Sequence, residues 1–169
     1  MLAACGTRAS GRAPAAPALI NHDDWAVLPE SLAVRLTDQC SRETPRPVTG
    51  TWRLDDSVAA ASDRALLPVL DSALTSHDSI PPAHRASSEY LRQYAGVLVK
   101  GKRVIYVNGF NKGLLAEEAK SAEETKQKID TTYWRHYPVH VCDGWMWFFG
   151  AEIDPASMRV SNFHFNGIA

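Results

Sequence analysis

The sequence predicts an α+β fold in which N-terminal helices pack on an antiparallel meander of about five strands. Leu66, Leu70 and Leu74 recur at helical spacing in the first half of the chain. Later, runs rich in β-branched and aromatic residues flank positions 101–102, and Asp143-Gly144 is a strong two-residue turn signal. We expect the helices to cover one face of the resulting sheet.

Helices are predicted over residues 29–39, 55–76 and 114–130. Pro29 suits the first turn of the first helix. Pro68 lies inside the second pattern and predicts a kink or a break, because proline removes a backbone hydrogen bond. The third segment is rich in Glu, Lys and Ala, which favours a solvent-exposed helix, with a mobile excursion as the alternative.

The predicted strands are Tyr90–Lys100, Arg103–Phe110, Pro138–Cys142, Trp145–Ile153 and Met158–Asn166. The second strand carries apolar residues on both sides, so we expect it to be central and covered on both faces. The Asp-Gly pair at 143–144 and residues 154–157 supply the turns that join the last three strands.

Composition limits the classes of function. The 169 residues carry a net charge of -1, which argues against a nucleic-acid partner because no basic excess is present to neutralise phosphates. We predict two parts, 1–20 as an anchor and tether and 21–169 as a single folded domain. Residues 6–18 contain only Gly, Thr, Arg, Ala, Ser and Pro, too little apolar surface to offset the entropy of ordering.

The first residues, Leu2-Ala3-Ala4-Cys5, resemble the lipobox of bacterial lipoproteins. The resemblance implies that Cys5 carries a lipid, that the true start lies upstream of Met1, and that the protein is exported. Gly6, rather than Asp, follows the cysteine, which implies the periplasmic side of the outer membrane. The membrane would then be a partner through the lipid anchor. An unprocessed cytosolic chain is the alternative.

An acylated Cys5 leaves two cysteines, Cys40 and Cys142. Two thiols of a small domain in an oxidising compartment tend to be joined, so we predict a disulfide between them. The alternative is a pair of buried free cysteines that pack as small apolar residues.

Histidines and cysteines near the C-terminus raise the question of a metal site. His136 and His140 are four residues apart, but on a strand that spacing is about 13 Å. His140, Cys142 and His164 could hold zinc if the last strand pairs nearby, yet no established zinc motif is present. We therefore predict no metal and no cofactor. A nucleophilic site from Cys142, Asp143 and either histidine is the enzymatic alternative, and it requires a free thiol.

Aromatic residues crowd the last third of the chain, where Trp145, Trp147 and Phe149 would share one face of a strand. The favoured interpretation is a buried central strand. The second is an aromatic surface for a protein or glycan partner. Its candidate residues are Tyr106, Trp134, Trp145, Trp147 and Phe149.

Four further segments resemble small uncharacterised exported proteins of proteobacteria. They are Gln39-Cys40-Ser41-Arg42, Arg92-Gln93-Tyr94, Val141-Cys142-Asp143-Gly144 and Phe165-Asn166-Gly167. This resemblance implies location and cysteine pairing only. The sequence as a whole predicts a cell-envelope lipoprotein that acts as a non-catalytic binding or interaction module. The alternatives are an inhibitor or immunity-type protein and a small hydrolase using His140, Cys142 and Asp143.

Overall fold

A computed structural model of the chain describes residues 22–77 and 80–168. The predicted lipid site at Cys5 and the predicted tether lie outside these residues. The elements, in chain order, are strand β1 (Trp25–Val27), helix α1 (Glu30–Leu36), β2 (Val48–Thr51), α2 (Asp56–Thr75), β3 (Tyr90–Val99), β4 (Lys102–Asn111), α3 (Gly113–Thr125), β5 (Phe148–Ile153) and β6 (Val160–Phe165). The predicted α+β class is confirmed.

Strands β3, β4, β5 and β6 form the predicted antiparallel meander. The β3–β4 hairpin turns at Lys100-Gly101, and Gly101 has a φ of 77°, a left-handed conformation that glycine adopts without steric cost. Two short strands that the sequence did not reveal complete a mixed six-stranded sheet. Strand β1 runs parallel to the first half of β3, and β2 pairs antiparallel with its second half. Strand β4 is central, as expected.

The two N-terminal helices cover opposite faces of the sheet, so the expectation of a single covered face was wrong. Helix α2 packs through Leu66, Leu70 and Leu74 on the face that carries Tyr94 and Ile105 of the sheet. Helix α1 packs against the other face. Both faces accept helices because β3 and β4 are apolar on both sides. Helix α3 follows β4, so the helices are not all N-terminal.

Helix α2 continues through Pro68 without a break. Pro68 is exposed, so the carbonyl that loses its partner can bond to water. Helix α3 confirms the predicted third helix but ends at Thr125, where Lys126 takes a left-handed conformation. None of the helices in the described ranges is both long and apolar enough to span a bilayer.

Residues 131–147, the coil segment, differ most from the prediction. Pro138–Cys142 is not a strand, and Asp143-Gly144 does not turn a hairpin. Gly144 instead precedes a short 3-10 turn, Trp145–Trp147, and β5 begins only at Phe148. Trp134 and Val139 of the coil segment lie on the same face of the sheet as α1 and are buried against Phe110, whereas Met146, near its end, joins the core under α2. We call the face that carries α1 the coil face and the opposite one the helix face.

Candidate functional site

Side-chain amides attach the coil segment to the sheet. Gln93 of β3 donates to the carbonyls of Trp134 and Tyr137, and its Oε1 accepts the Val139 amide N–H at 2.9 Å. Asn108 of β4 donates to Gln93 Oε1 and to the Val139 carbonyl, both at 2.9 Å. These bonds use the backbone groups that a strand would have offered to a neighbour, which explains why the predicted strand does not form.

A second group of bonds continues toward the end of β6. Asn166 donates to the carbonyls of Val141 and Asp143 at 2.9 and 2.8 Å. The Arg42 guanidinium donates to the side-chain oxygens of Asn108 and Asn166, and its Nε donates to the Tyr106 hydroxyl at 3.1 Å. Burial raises the pKa of Tyr106, whereas the nearby Arg42 lowers it. Arg42 therefore links neutral side chains on β4 with the residue that follows β6.

The predicted disulfide between Cys40 and Cys142 is confirmed, with the two Cα atoms 5.0 Å apart. It joins the segment after α1 to the coil segment. His140 Nε2 lies 3.4 Å from Cys40 Sγ, and all three residues are exposed. The donor atoms of Cys40, His140 and Cys142 lie within 4.8 Å of one another.

The other predicted histidines lie outside this group. His164 is exposed on β6, opposite Gly150, and His136 follows the turn at Tyr133–Arg135. His140 and Cys142 lie in the predicted strand Pro138–Cys142, which is coil in the structure. Their proximity comes from the disulfide and the amide bonds instead.

The nucleophile proposed from Cys142 is not available in this structure. Its sulfur is bonded to Cys40, and a disulfide sulfur is not a thiolate. Asp143 contributes its backbone carbonyl to Asn166. The described residues therefore offer no thiolate for the hydrolase alternative at this site.

The five aromatic candidates do not form one exposed surface. Three of them are buried, namely Tyr106, Trp134 and Phe149, with at most 2% exposure. Trp145 and Trp147 are half-buried in the 3-10 turn and do not share a strand face with Phe149. Phe149 instead stacks on Phe163 of β6, with ring centroids 5.2 Å apart. The favoured interpretation was that these aromatic residues lie on a buried central strand. It holds for Phe149, which lies in β5 and is fully buried.

A groove of about 750 Å³ lies at the end of the sheet where β3 turns into β4. Trp52 lines its wall, and the Arg103 guanidinium lies over the indole ring at 5.1 Å from the centroid. The indole N–H donates to the carbonyls of Val97 and Val104, at 3.2 and 3.3 Å, so the ring is held in place. The complete lining is Trp52, Arg53, Asp55, Val58, Lys102, Arg103, Asp154, Pro155 and Ala156.

The charged side chains that line this groove carry a small net positive charge. Three cations, Arg53, Lys102 and Arg103, face two carboxylates. One carboxylate, Asp154, accepts the backbone N–H groups of Ala156 and Ser157 at 2.8 and 3.0 Å, and these bonds lower its pKa. Asp154 is thus committed to its own turn.

Sequence reasoning missed this groove because its residues come from three separate segments. Trp52 and Arg53 follow β2, a strand that was not predicted. Lys102 and Arg103 come just after the β3–β4 turn, and residues 154–156 lie in the turn after β5. The available signal was the basic tip of the predicted hairpin, with Lys100, Lys102 and Arg103 around one glycine.

A buried ion pair stands on the helix face. Arg92 Nε donates to Asp63 Oδ1 at 2.7 Å, and the Tyr94 hydroxyl donates to the same oxygen at 2.6 Å. Burial raises the pKa of Tyr94 well above its ordinary value, and the Asp63 carboxylate raises it further. The guanidinium also donates to the Tyr90 carbonyl. Because each charge is buried with its partner, removal of either one would leave the other unpaired, so the group fixes how α2 packs on β3.

Comparison with protein-family models, curated proteins and solved structures finds no match.

Proposed function

We propose that this chain is an exported, lipid-anchored binding module of the bacterial cell envelope. The observation that carries the proposal is the exposed Cys40–Cys142 disulfide. Disulfides persist in oxidising compartments and are rare in a reducing cytosol. The third cysteine, Cys5, stands in the lipobox-like segment and has a separate role as the acylated residue.

Native expression tests the anchor. The gene would be expressed from its own locus and labelled with an alkyne analogue of palmitate. We expect label on the native protein and loss of label in Cys5→Ser, while the matched variant Cys40→Ser keeps it. An unmodified chain with all three thiols reduced in the cytosol would contradict the proposal.

The groove beside Trp52 supports binding as the activity. Its wall combines an indole face with Arg53, Lys102 and Arg103. An aromatic face gives apolar contact area, and guanidinium groups bind carboxylates through paired hydrogen bonds. We propose that the occupant is an acidic segment of a partner protein that also carries an apolar side chain. An enzyme bound in this way would make the chain an inhibitor or immunity-type protein.

Selection from a displayed library of random dodecapeptides tests the ligand class. On the purified protein we expect enrichment of peptides that combine Asp or Glu with Leu, Phe or Trp. Arg103→Glu should weaken a selected peptide roughly tenfold or more, since a hydrogen bond between charged groups contributes about 1.5–3 kcal/mol. Arg64→Glu, on the exposed side of α2, is the matched control and should bind normally. Enrichment without acidic residues, or equal binding by both variants, would contradict the proposal.

A further inference from the structure

We propose that Cys40, His140 and Cys142 form a zinc site when the disulfide is reduced. Their donor atoms already lie within 4.8 Å of one another, and all three side chains reach solvent. The inference concerns the chemistry of this group alone, so it does not depend on the lipid anchor or on the groove.

The donor set suits a divalent ion of the zinc type. Thiolate sulfur binds Zn²⁺ at about 2.3 Å and imidazole nitrogen at about 2.0 Å, so neighbouring S and N ligands of a tetrahedron stand about 3.5 Å apart. His140 Nε2 and Cys40 Sγ are separated by 3.4 Å. Three protein ligands in an exposed position leave the fourth place to water, as in zinc sites with an open coordination position.

The site is held in place by contacts other than the disulfide. Val139 and Val141, the neighbours of His140, are bonded to Gln93, Asn108 and Asn166. On the side of Cys40, the Ser41 carbonyl accepts the Gly167 N–H at 2.8 Å. Breaking the S–S bond leaves these bonds intact. We therefore expect the three ligands to remain near one another in the reduced chain.

The disulfide and the zinc complex are mutually exclusive states. Reduction by a dithiol delivers two electrons and two protons to the S–S bond, giving two thiols, while the dithiol is oxidised to its own disulfide. Zn²⁺ then replaces the two thiol protons, which pass to water. Reoxidation by a disulfide oxidant, which takes up two electrons and two protons and becomes a dithiol, re-forms the Cys40–Cys142 bond, removes both sulfur ligands and releases the ion.

Zinc titration of the full chain tests the site, on a Cys5→Ser background so that the third thiol does not compete. The protein is reduced with a phosphine and titrated with Zn²⁺ against a chromogenic chelator. We expect one Zn²⁺ per reduced chain and none per oxidised chain. Co²⁺ added to the reduced protein should give the near-ultraviolet absorption of a thiolate-bound ion. Near-ultraviolet circular dichroism reports whether the reduced chain stays folded.

Variants identify the ligands. His140→Ala should weaken Zn²⁺ binding by at least about tenfold, because even second-sphere changes cost that much. Cys142→Ser should weaken binding further and abolish the Co²⁺ absorption of a two-thiolate site. The matched control is His164→Ala, an exposed histidine outside the group, which should bind as the parent does. The proposal is overturned if His140→Ala equals the parent, if the oxidised chain binds equally, or if the reduced chain unfolds or binds no Zn²⁺.

Discussion

The two faces of the sheet are held by different interactions. On the helix face, α2 buries a row of leucines against the sheet, and the buried ion pair there is fully partnered. On the coil face, residues 134–143 have no strand or α-helix of their own. Side-chain amides and the disulfide hold them, and Arg42 binds two of those amide side chains, Asn108 and Asn166. The first face depends mainly on apolar burial, and the second on polar bonds to backbone groups.

The difference shows how an irregular segment can be buried. A buried backbone N–H or carbonyl needs a partner, and a segment without regular structure cannot supply its own. Gln93 and Asn108 supply partners from the middle of the sheet, at positions that are 0% and 1% exposed. Together with Asn166, which follows β6, they replace a row of strand hydrogen bonds.

The largest effect is expected on the helix face, from Asp63→Ala. It would leave Arg92 and Tyr94 buried without their shared acceptor, which should lower the free energy of unfolding by about 3–5 kcal/mol. Urea unfolding followed by tryptophan fluorescence measures this. The double variant Asp63→Leu with Arg92→Met removes both charges and should cost much less. Equal losses in the two proteins would mean that the ion pair does not explain the effect.

On the coil face, the double variant Cys40→Ser with Cys142→Ser should lower the free energy of unfolding by about 2–4 kcal/mol, since the cross-link joins residues 102 positions apart. The protein should nevertheless stay folded, because the amide bonds remain. Hydrogen exchange at the Val139 amide checks this: protection should persist. Complete loss of protection at 131–147 would show that the disulfide alone holds the coil segment.

A smaller loss is expected from Gln93→Leu, which removes the partners of the Val139 N–H and of two carbonyls. Leaving such groups unpaired should cost about 1–3 kcal/mol in the free energy of unfolding. Exchange should accelerate within the coil segment and not in α2. Gln127→Leu, at an exposed position after α3, is the control and should change little. If hydrogen exchange accelerated equally in the coil segment and in α2, the two faces would not be stabilised independently, and the prediction would be contradicted.

The smallest effect at neutral pH is a loss of stability that develops only under alkaline conditions. Burial raises the pKa of Tyr90 to about 12, and it also raises that of Tyr94 and Tyr106. Above about pH 10 the unfolded chain loses these protons while the folded chain keeps them, so the free energy of unfolding falls as pH rises from about 10 toward 12. Tyr90→Phe should reduce the slope of stability against pH in this window. An unchanged slope would contradict the assignment.

The sequence predicted elements whose periodicity agrees with their packing. Leu66, Leu70 and Leu74 marked α2 because one face of that helix is buried, and the β3–β4 hairpin was clear from its β-branched and aromatic runs. Strands β1 and β2 have only three and four residues, too few to show a period. Of the two outcomes predicted at Pro68, the break does not occur, since the exposed position lets water bind the carbonyl that loses its partner.

The coil segment could not be predicted, because its conformation depends on partners far away in the sequence. Gln93 reaches Val139 across 46 positions, and Asn108 reaches it across 31. The hairpin predicted at Asp143-Gly144 was wrong: Gly144 has a φ of 91°, but it precedes a 3-10 turn and joins no two strands. At the candidate site, the cysteine pairing was foreseen, whereas the closeness of His140 to Cys40 was not.

The division of one edge of β3 between two short strands has a consequence for self-association. A ten-residue strand at the rim of a sheet would offer a long row of free peptide groups to another molecule. Here β1 and β2 shield β3 and themselves offer only three and four residues. At the opposite rim, the pairing of β6 is interrupted by a bulge, and Asn162 adopts a φ of 49°. Neither edge of the sheet therefore offers a long regular strand to which another copy of the chain could pair to build a fibre.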